Sequence, residues 1–353
     1  MRSVFLLFLT VILSGGAFAQ SGRQKPSPTP TPRSITGPSV LTASKPGPVK
    51  QVPLTTPAPK PDSDEIIRVD ASLVPIPVAV TDSDGRPVAA INRENFILKI
   101  DGKPAEVSEL TRAETPISLA MLFDNSSSVL IARDFEVQAA VRFFKRVIRP
   151  NRDRAALFSV ADYTRLEQPL TSDVSILTRS IERFPPPKGA TALLDGIIEA
   201  AEYLRSANGR RVIVIVSDGE DTYSDLKTSL EDVVRRLLVT DCLVYVVNTK
   251  DFENFKRTGI RRGNANTRTL TAERRMIEIT QQTGGAVYSP IDDDEMAAAF
   301  TRIAAELSEQ YVLSYYPEND RDKRGEFRSI DVSVKGKPHY SVRARKGYYV
   351  PKR

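Results

Sequence analysis

Residues 115–310 alternate short apolar runs with helix-length segments, and this alternation predicts an α/β fold with a doubly wound, mostly parallel sheet. A second observation places that fold within the chain. Segments rich in β-branched residues flank it at 65–113 and 311–353, and each set of short strands is too small to stand alone. The two flanks are therefore expected to pair into one β-sandwich, interrupted by the α/β domain. A third observation sets the remainder apart: residues 20–64 carry 11 of the 25 prolines among Ser, Thr and Lys, the composition of an extended, disordered linker.

Taken in order, the chain opens with a charged start, Met1-Arg2-Ser3. An apolar run follows at 4–13, then Ser14-Gly15-Gly16-Ala17-Phe18-Ala19, whose end has the A-x-A form of a cleavage site. Residues 1–19 read as a signal peptide, with an uncleaved anchor as the alternative; the apolar run is short for a membrane span. The mature chain is then exported, to a periplasm or beyond the cell, and carries no transmembrane span. In the first flank, 67–80 reads as a strand that Pro75 and Pro77 assign to a sheet edge. A turn at Asp82-Ser83-Asp84-Gly85 follows, and 96–100 with Asp101-Gly102 signals a hairpin. The central strands are expected at 117–123, 155–160, 212–216, 243–247 and 286–288, with helices such as 135–148 and 192–205 between them. An antiparallel edge strand is expected near 165–170. In 135–148, Ala139, Ala140, Phe143, Phe144 and Val147 fall on one helical face. The last flank supplies three strands, 311–316, 327–334 and 340–349.

Composition excludes several function classes. The net charge of +6 is concentrated at the end, where 321–353 holds 11 Lys/Arg against 3 Asp/Glu. That spacing fits solvated strand positions, and no nucleic-acid motif or aromatic interleaving accompanies it. The one cysteine, Cys242, opens an apolar strand and reads as a small buried hydrophobe. The one histidine, His339, is far in sequence from any candidate nucleophile, and no G-x-S-x-G is present. Phosphoaspartate chemistry at Asp124 would want an acid two residues on, where Ser126 stands, and 125–128 lacks the glycines of a phosphate loop. An enzyme is not expected.

The chemistry-bearing pattern is Asp124-Asn125-Ser126-Ser127-Ser128, directly after the strand at 117–123. One carboxylate and two hydroxyls two residues apart can converge on a hard cation such as Mg²⁺, which takes oxygen ligands. Two later positions supply more oxygen: Thr191 in Gly189-Ala190-Thr191, and Asp218 in Val216-Ser217-Asp218-Gly219, past the strand at 212–216. In open α/β sheets such strand ends are where ligands bind. Each residue also has a plain reading: Asp124 as a cap, Thr191 as the N-cap of the following helix, Asp218-Gly219 as a turn.

In this order and spacing the three elements resemble the metal-ion-dependent adhesion site of a von Willebrand factor A domain. The wider layout is similar to secreted bacterial proteins related to that family, through Asp84-Gly85-Arg86-Pro87-Val88, Asp218-Gly219-Glu220-Asp221-Thr222 and Arg343-Ala344-Arg345-Lys346-Gly347-Tyr348-Tyr349. The resemblance implies a Rossmann-like domain over 114–310. It also implies direct metal ligation by Ser126 and Ser128, ligation by Thr191 directly or through water, and water-mediated roles for Asp124 and Asp218. The implied cation is Mg²⁺, with Mn²⁺ or Ca²⁺ as alternatives. The implied partner is a protein offering an acidic side chain to a non-catalytic binding module. The alternative is an envelope scaffold with a structural metal site that binds through its sandwich. The sequence departs from the common family loop at Ser127, where Gly is frequent, and Val129, where Met is frequent. A basic stretch, Lys256, Arg257, Arg261, Arg262, Arg268, Arg274 and Arg275, reads either as a selector of acidic ligands or as a solvated loop.

Overall fold

The computed structural model describes residues 73–112, 115–261, 266–317, 323–337 and 339–351. The expected leader at 1–19, the linker at 20–64, the first residues of the strand expected from 67, and Arg262 lie outside the described residues.

The first flank forms β1 (Val74–Thr81), β2 (Phe96–Ile100), β3 (Lys103–Ala105) and β4 (Glu109–Arg112). The hairpin signal is realised as a two-residue turn: Ile100 pairs with Lys103, and Asp101 and Gly102 both take positive φ, 51° and 75°. The α/β part follows as β5 (Ile117–Asp124), α1 (Arg133–Val147), β6 (Arg154–Val160), β7 (Thr164–Thr171), α2 (Val174–Glu182), α3 (Leu193–Leu204), β8 (Arg210–Ser217), α4 (Leu230–Val239), β9 (Cys242–Asn248), α5 (Lys250–Thr258), α6 (Thr267–Thr283), β10 (Val287–Tyr288) and α7 (Asp293–Glu309). The chain then returns through β11 (Tyr311–Tyr315), β12 (Phe327–Val334), β13 (Ser341–Ala344) and β14 (Gly347–Tyr349).

Six strands form the central sheet in the order β10-β9-β8-β5-β6-β7, parallel except for the antiparallel edge β7. Period-two alternation splits β5 between two cores. Leu119, Met121 and Phe123 pack with α1, α2 and α7, while Ala120 and Leu122 pack with α3, α4 and α6. Every residue of β5 is buried, as expected of a central strand covered on both faces. None of the described helices is long and apolar enough to cross a membrane.

The flanks pair as expected of a sandwich, in two four-stranded sheets: β13-β1-β11-β4 and β14-β12-β2-β3. A shared core of Ile76, Val78, Phe96, Leu98, Tyr311, Leu313 and Ile330 joins them. Three expectations need correction. The first flank makes four strands, one more than the strand and hairpin expected there. The segment expected as one strand at 340–349 is two, on different sheets. Arg345 is buried between them, bonded to Asp241 and the Pro75 carbonyl, and the Lys346 N–H is taken by the Gln282 carbonyl, so the backbone leaves one sheet for the other. Finally, β1 is not an edge strand, since it lies between β11 and β13. The prolines are tolerated because β13 pairs only with Val78–Thr81; on the Pro75–Pro77 half that side is open, and the Pro75 carbonyl is met there by the Arg345 guanidinium.

Candidate metal centre

Parallel pairing of β5 with β8, with Phe123 opposite Val216, brings Asp124 beside Ser217 at the C-terminal edge of the sheet. The Ser217 hydroxyl donates to Asp124 Oδ2 at 2.6 Å, and the Ser126 N–H donates to Asp124 Oδ1 at 2.9 Å. Both oxygens of this carboxylate are thus held. The turn at Ser127–Val129 follows, and the Ser126 and Ser128 hydroxyls stand 2.9 Å apart. Past β8, Asp218 Oδ1 accepts the Glu220 N–H at 3.0 Å. Between them Gly219 has φ 78°, a left-handed conformation that glycine adopts without strain.

Thr191 arrives from a third loop, and that loop is tied to the other two. The Ser127 hydroxyl and N–H both donate to the Gly189 carbonyl, at 3.1 and 3.2 Å, and the Lys188 N–H donates to the Asn125 carbonyl at 2.8 Å. On the other side, the Thr191 carbonyl accepts the Thr222 and Tyr223 N–H groups, at 2.8 and 2.9 Å, and the Thr191 N–H donates to the Thr222 hydroxyl at 3.0 Å. All five candidate residues therefore lie on three cross-bonded loops along one edge. Asp124, Ser126, Thr191 and Asp218 are buried, while Ser128 is exposed and opens the edge to solvent.

The plain readings are only partly met. Asp124 does close the next turn through the Ser126 N–H, but it caps no α-helix, since α1 begins after Ala132. Thr191 is not the N-cap of α3 either. That place falls to Ala192, which lacks a capping side chain, and Asp221 Oδ1 from the post-β8 loop accepts the Leu193 and Leu194 N–H groups instead, at 2.8 and 3.3 Å. Asp218 does close a local turn, with one oxygen. Its other oxygen faces the Lys250 ammonium at 3.5 Å, which also bonds Glu220 at 2.9 Å.

The electrostatics are strongly acidic. Burial, and next the charge of Asp218, push the Asp124 carboxyl up to about 6. Behind it, Glu253 is raised to about 8 by burial and then by Asp218, and the fully buried Glu136 is raised well above the usual range by burial and then by Glu253. Arg133 lies among them, stacked on Phe123 and Phe184. The Asn125 Oδ1 atom is buried without a hydrogen-bond partner. This donor set fits a hard divalent cation: it is all oxygen, two of its members are buried carboxylates, and its negative charge is met only in part by Lys250. Among the described residues no group of three or more His, Cys, Asp or Glu is arranged to hold a metal, so hydroxyls would have to complete the coordination.

Ser217, Lys250, Asp221 and the Glu136–Glu253 pair were not singled out from the sequence. Lys250 carried a usable signal, since it stands two residues past β9 on the same sheet edge. Three residues of the basic stretch have internal partners. Lys256 bonds Asp293 at 2.9 Å, Arg261 pairs with Asp292 and Glu295 at the start of α7, and Arg268 lies 3.9 Å from Glu220.

Fold and edge together define a doubly wound α/β domain presenting hydroxyls and carboxylates at the C-terminal ends of its strands. Residues 119–220 match the family model described as the von Willebrand factor type A domain. No curated protein matches the chain. Among solved structures it is similar to the PilB minor pilin of Streptococcus sanguinis, with 12% identity over 55% of this chain and 62% of that one, at a TM-score of 0.43. The match thus spans less than two thirds of the pilin. An aerotolerance-related membrane protein of Bacteroides fragilis matches at 19% identity over 55% of this chain and 99% of that one, at a TM-score of 0.41. Proximal thread matrix protein 1 of the mussel byssus, described with a zinc-occupied MIDAS motif, matches at 15% identity, 60% and 50% coverage and a TM-score of 0.43.

Proposed function

We propose that this protein is a non-catalytic, divalent-metal-dependent binding module that captures a carboxylate of a protein partner. The observation that carries this reading is the convergence of three cross-bonded loops on one sheet edge, where buried Asp124 and Asp218 flank the paired Ser126 and Ser128 hydroxyls. Ser126, Ser128 and Thr191 are the proposed direct ligands, and Asp124 and Asp218 orient hydroxyls and bound waters. Mg²⁺ is the cation that this all-oxygen set favours, with Mn²⁺ or Ca²⁺ as alternatives. When bound by neutral hydroxyls, such a cation keeps enough charge to attract an external carboxylate. Ser217 fixes the Asp124 carboxylate, and the Gly189 and Thr222 contacts fix the loops, so the edge is organised before any ligand arrives.

The same proposal assigns 114–310 to the binding domain and joins 65–113 with 311–353 in a supporting sandwich. Residues 1–19 direct export to the periplasm or the cell exterior, and 20–64 hold the folded part away from a surface or a partner.

Calorimetric titration of Mg²⁺ into the full chain tests the metal site. Saturable binding in the wild type that drops about 100-fold in Asp124→Ala and Asp218→Ala, with the fold retained, is the expected result. Unchanged affinity in both variants would remove the site. Partner capture with Mg²⁺ and with chelator then separates the two functional readings. A binding module releases its partner in chelator and stays folded, whereas a scaffold with a structural metal loses stability together with the metal.

A further inference from the structure

The opposite end of the central sheet holds a cavity of about 380 Å³ between the first residues of β8 and β9, the end of α4, and the sandwich sheet of β1, β4 and β11. Pro77, Leu238 and Val312 are among its apolar lining residues, and Arg210, Arg211 and Arg345 line it as well. The volume lies within the range of small-ligand sites, which favour junctions between folded layers of this kind.

The hydrogen-bond accounts of the wall are one-sided. Arg210 Nε and Nη2, Gln310 Nε2 and Arg345 Nε are buried nitrogens with no hydrogen-bond partner. Among the described residues, no buried side-chain oxygen of the cavity wall is left in that condition. Such an imbalance, donors without acceptors, calls for an acceptor from outside the chain. Charge gives the same answer. Arg345 pairs with Asp241, and Arg211 lies 3.8 Å from that same carboxylate while bonding the Ala207 and Thr240 carbonyls. Arg210, only 6% exposed, bonds just the neutral Leu307 carbonyl and Gln310 Oε1 and forms no ion pair among the described residues. Glu109 borders the cavity but does not pair with it. Burial pushes both Arg210 and Arg345 down to about 10, and Arg210 has no ion pair among the described residues to offset it. A buried, unpaired charge of this kind is costly unless something neutralises it.

We infer that this cavity is a binding site for a small organic oxyanion, a carboxylate or a phosphate, held by Arg210, Arg345 and Gln310. Guanidinium groups offer paired N–H donors matched to such oxygens, and the apolar wall accommodates a short carbon skeleton. The site is separate from the metal edge. Strand β8 starts at Arg210 and ends at Ser217, so the two ends lie about 23 Å apart at the usual rise of ~3.3 Å per residue.

The test uses the full chain in chelator, so that no metal can recruit the anion, with sodium succinate and sodium phosphate as probes at constant ionic strength. Saturable heat and a raised melting temperature with at least one probe are expected, and which probe binds tells carboxylate from phosphate. Binding should weaken about tenfold or more in Arg210→Gln and also in Arg345→Lys, which keeps the charge but loses the fork. Absence of binding by both probes overturns the inference, as does binding unchanged in both variants. If Arg210→Gln does not fold, a wild-type crystal soaked in sodium bromide decides: an anomalous peak beside Arg210 and Arg345 supports the site, and peaks confined to the outer surface overturn it.

Discussion

Strand β8 begins among nitrogens and ends among oxygens. At its start, Arg210 and Arg211 face a cavity where the unpartnered polar atoms are Arg and Gln nitrogens. At its end, Ser217 and Asp218 join an edge where the unpartnered atoms are Asn125 Oδ1 and both Glu136 oxygens, with Arg133 Nη2 the one nitrogen among them. A neutral strand with hydrogen-bonded ends would have served the sheet equally well. The difference teaches that both ends carry electrostatic cost that the fold does not itself relieve, and that the costs have opposite sign. One end is suited to a cation, the other to an anion. What sets the two ends apart structurally is their cover: loops with the starts of α1 and α5 lie at the oxygen end, whereas the sandwich closes the nitrogen end.

The most damaging change should therefore act on that cover. Removing residues 312–353 takes β11 and β13 away from the two sides of β1 and removes Arg345 from the cavity. We expect residues 73–112 to lose hydrogen-exchange protection entirely and the cavity to vanish, while β5, β8 and the Asp124 edge stay protected. Retained protection over 73–112 would show that the first flank folds without the second.

A smaller but still large effect should come from pH. In the metal-free protein Asp124 is raised to about 6 and Glu253 to about 8, in both cases by burial first and Asp218 second. Both exceed their ordinary values near 4, so the folded chain binds more protons than the unfolded chain between about pH 4 and pH 8. Stability in chelator must then fall as pH rises through that window, by about 3 kcal/mol from Asp124 alone. Asp153, lowered despite its burial by bonds from Arg149 and the Ile117 N–H, acts in the opposite sense, but only below about pH 4. Melting temperatures at pH 5 and pH 8 read the effect, and saturating Mg²⁺ should restore most of the loss at pH 8. A flat or rising profile in chelator would mean the buried acids are solvated better than the static structure allows.

The contrast between the two ends was unevenly legible in the sequence. The strand–helix alternation, the five central strands and the Asp101-Gly102 turn could be read from period and turn chemistry, because each is set within a few residues. That Asp124, Ser126, Ser128, Thr191 and Asp218 lie along one sheet edge could be read because motif spacing and strand ends carry their positions. The nitrogen end could not. Arg210 and Arg345 are 135 positions apart in the chain and look like ordinary surface charges; only the return of β11 and β13 over β1 buries them. For the same reason Pro75 and Pro77 suggested a sheet edge: nothing local reveals that β13 pairs with only half of β1. The capping of α3 by Asp221 was hidden likewise, since the cap comes from a loop beyond the helix itself.

Lys250 offers a finer probe of the oxygen end. Its ammonium lies 3.5 Å from Asp218 and partly offsets the charge that would attract a cation. Lys250→Met removes a competing positive charge and should tighten Mg²⁺ binding about tenfold at low salt, with the gain shrinking as salt is added. Loosened binding would instead make Lys250 a support for Glu220 and the post-β8 loop, and the oxygen end would then owe its acidity to fewer groups.

The smallest expected effect separates organisation of that edge from its charge. Asp221 touches none of the five candidate ligands through its side chain; it caps α3 through the Leu193 and Leu194 N–H groups and accepts the Ser224 hydroxyl. Asp221→Ala should cost about 1 kcal/mol of stability, the usual loss for a helix cap. Since Thr191 stands two residues before Leu193 and is bonded to Thr222 beside Asp221, the same change loosens the loop that carries the Thr191 hydroxyl. Metal affinity should fall severalfold through this loosening. Asp221→Asn, which keeps an acceptor but drops the charge, should restore the cap and most of the affinity. If Asn fails to rescue while metal binding falls equally in both variants, charge rather than loop placement governs the edge, and the cross-bonding of the three loops is incidental to metal binding.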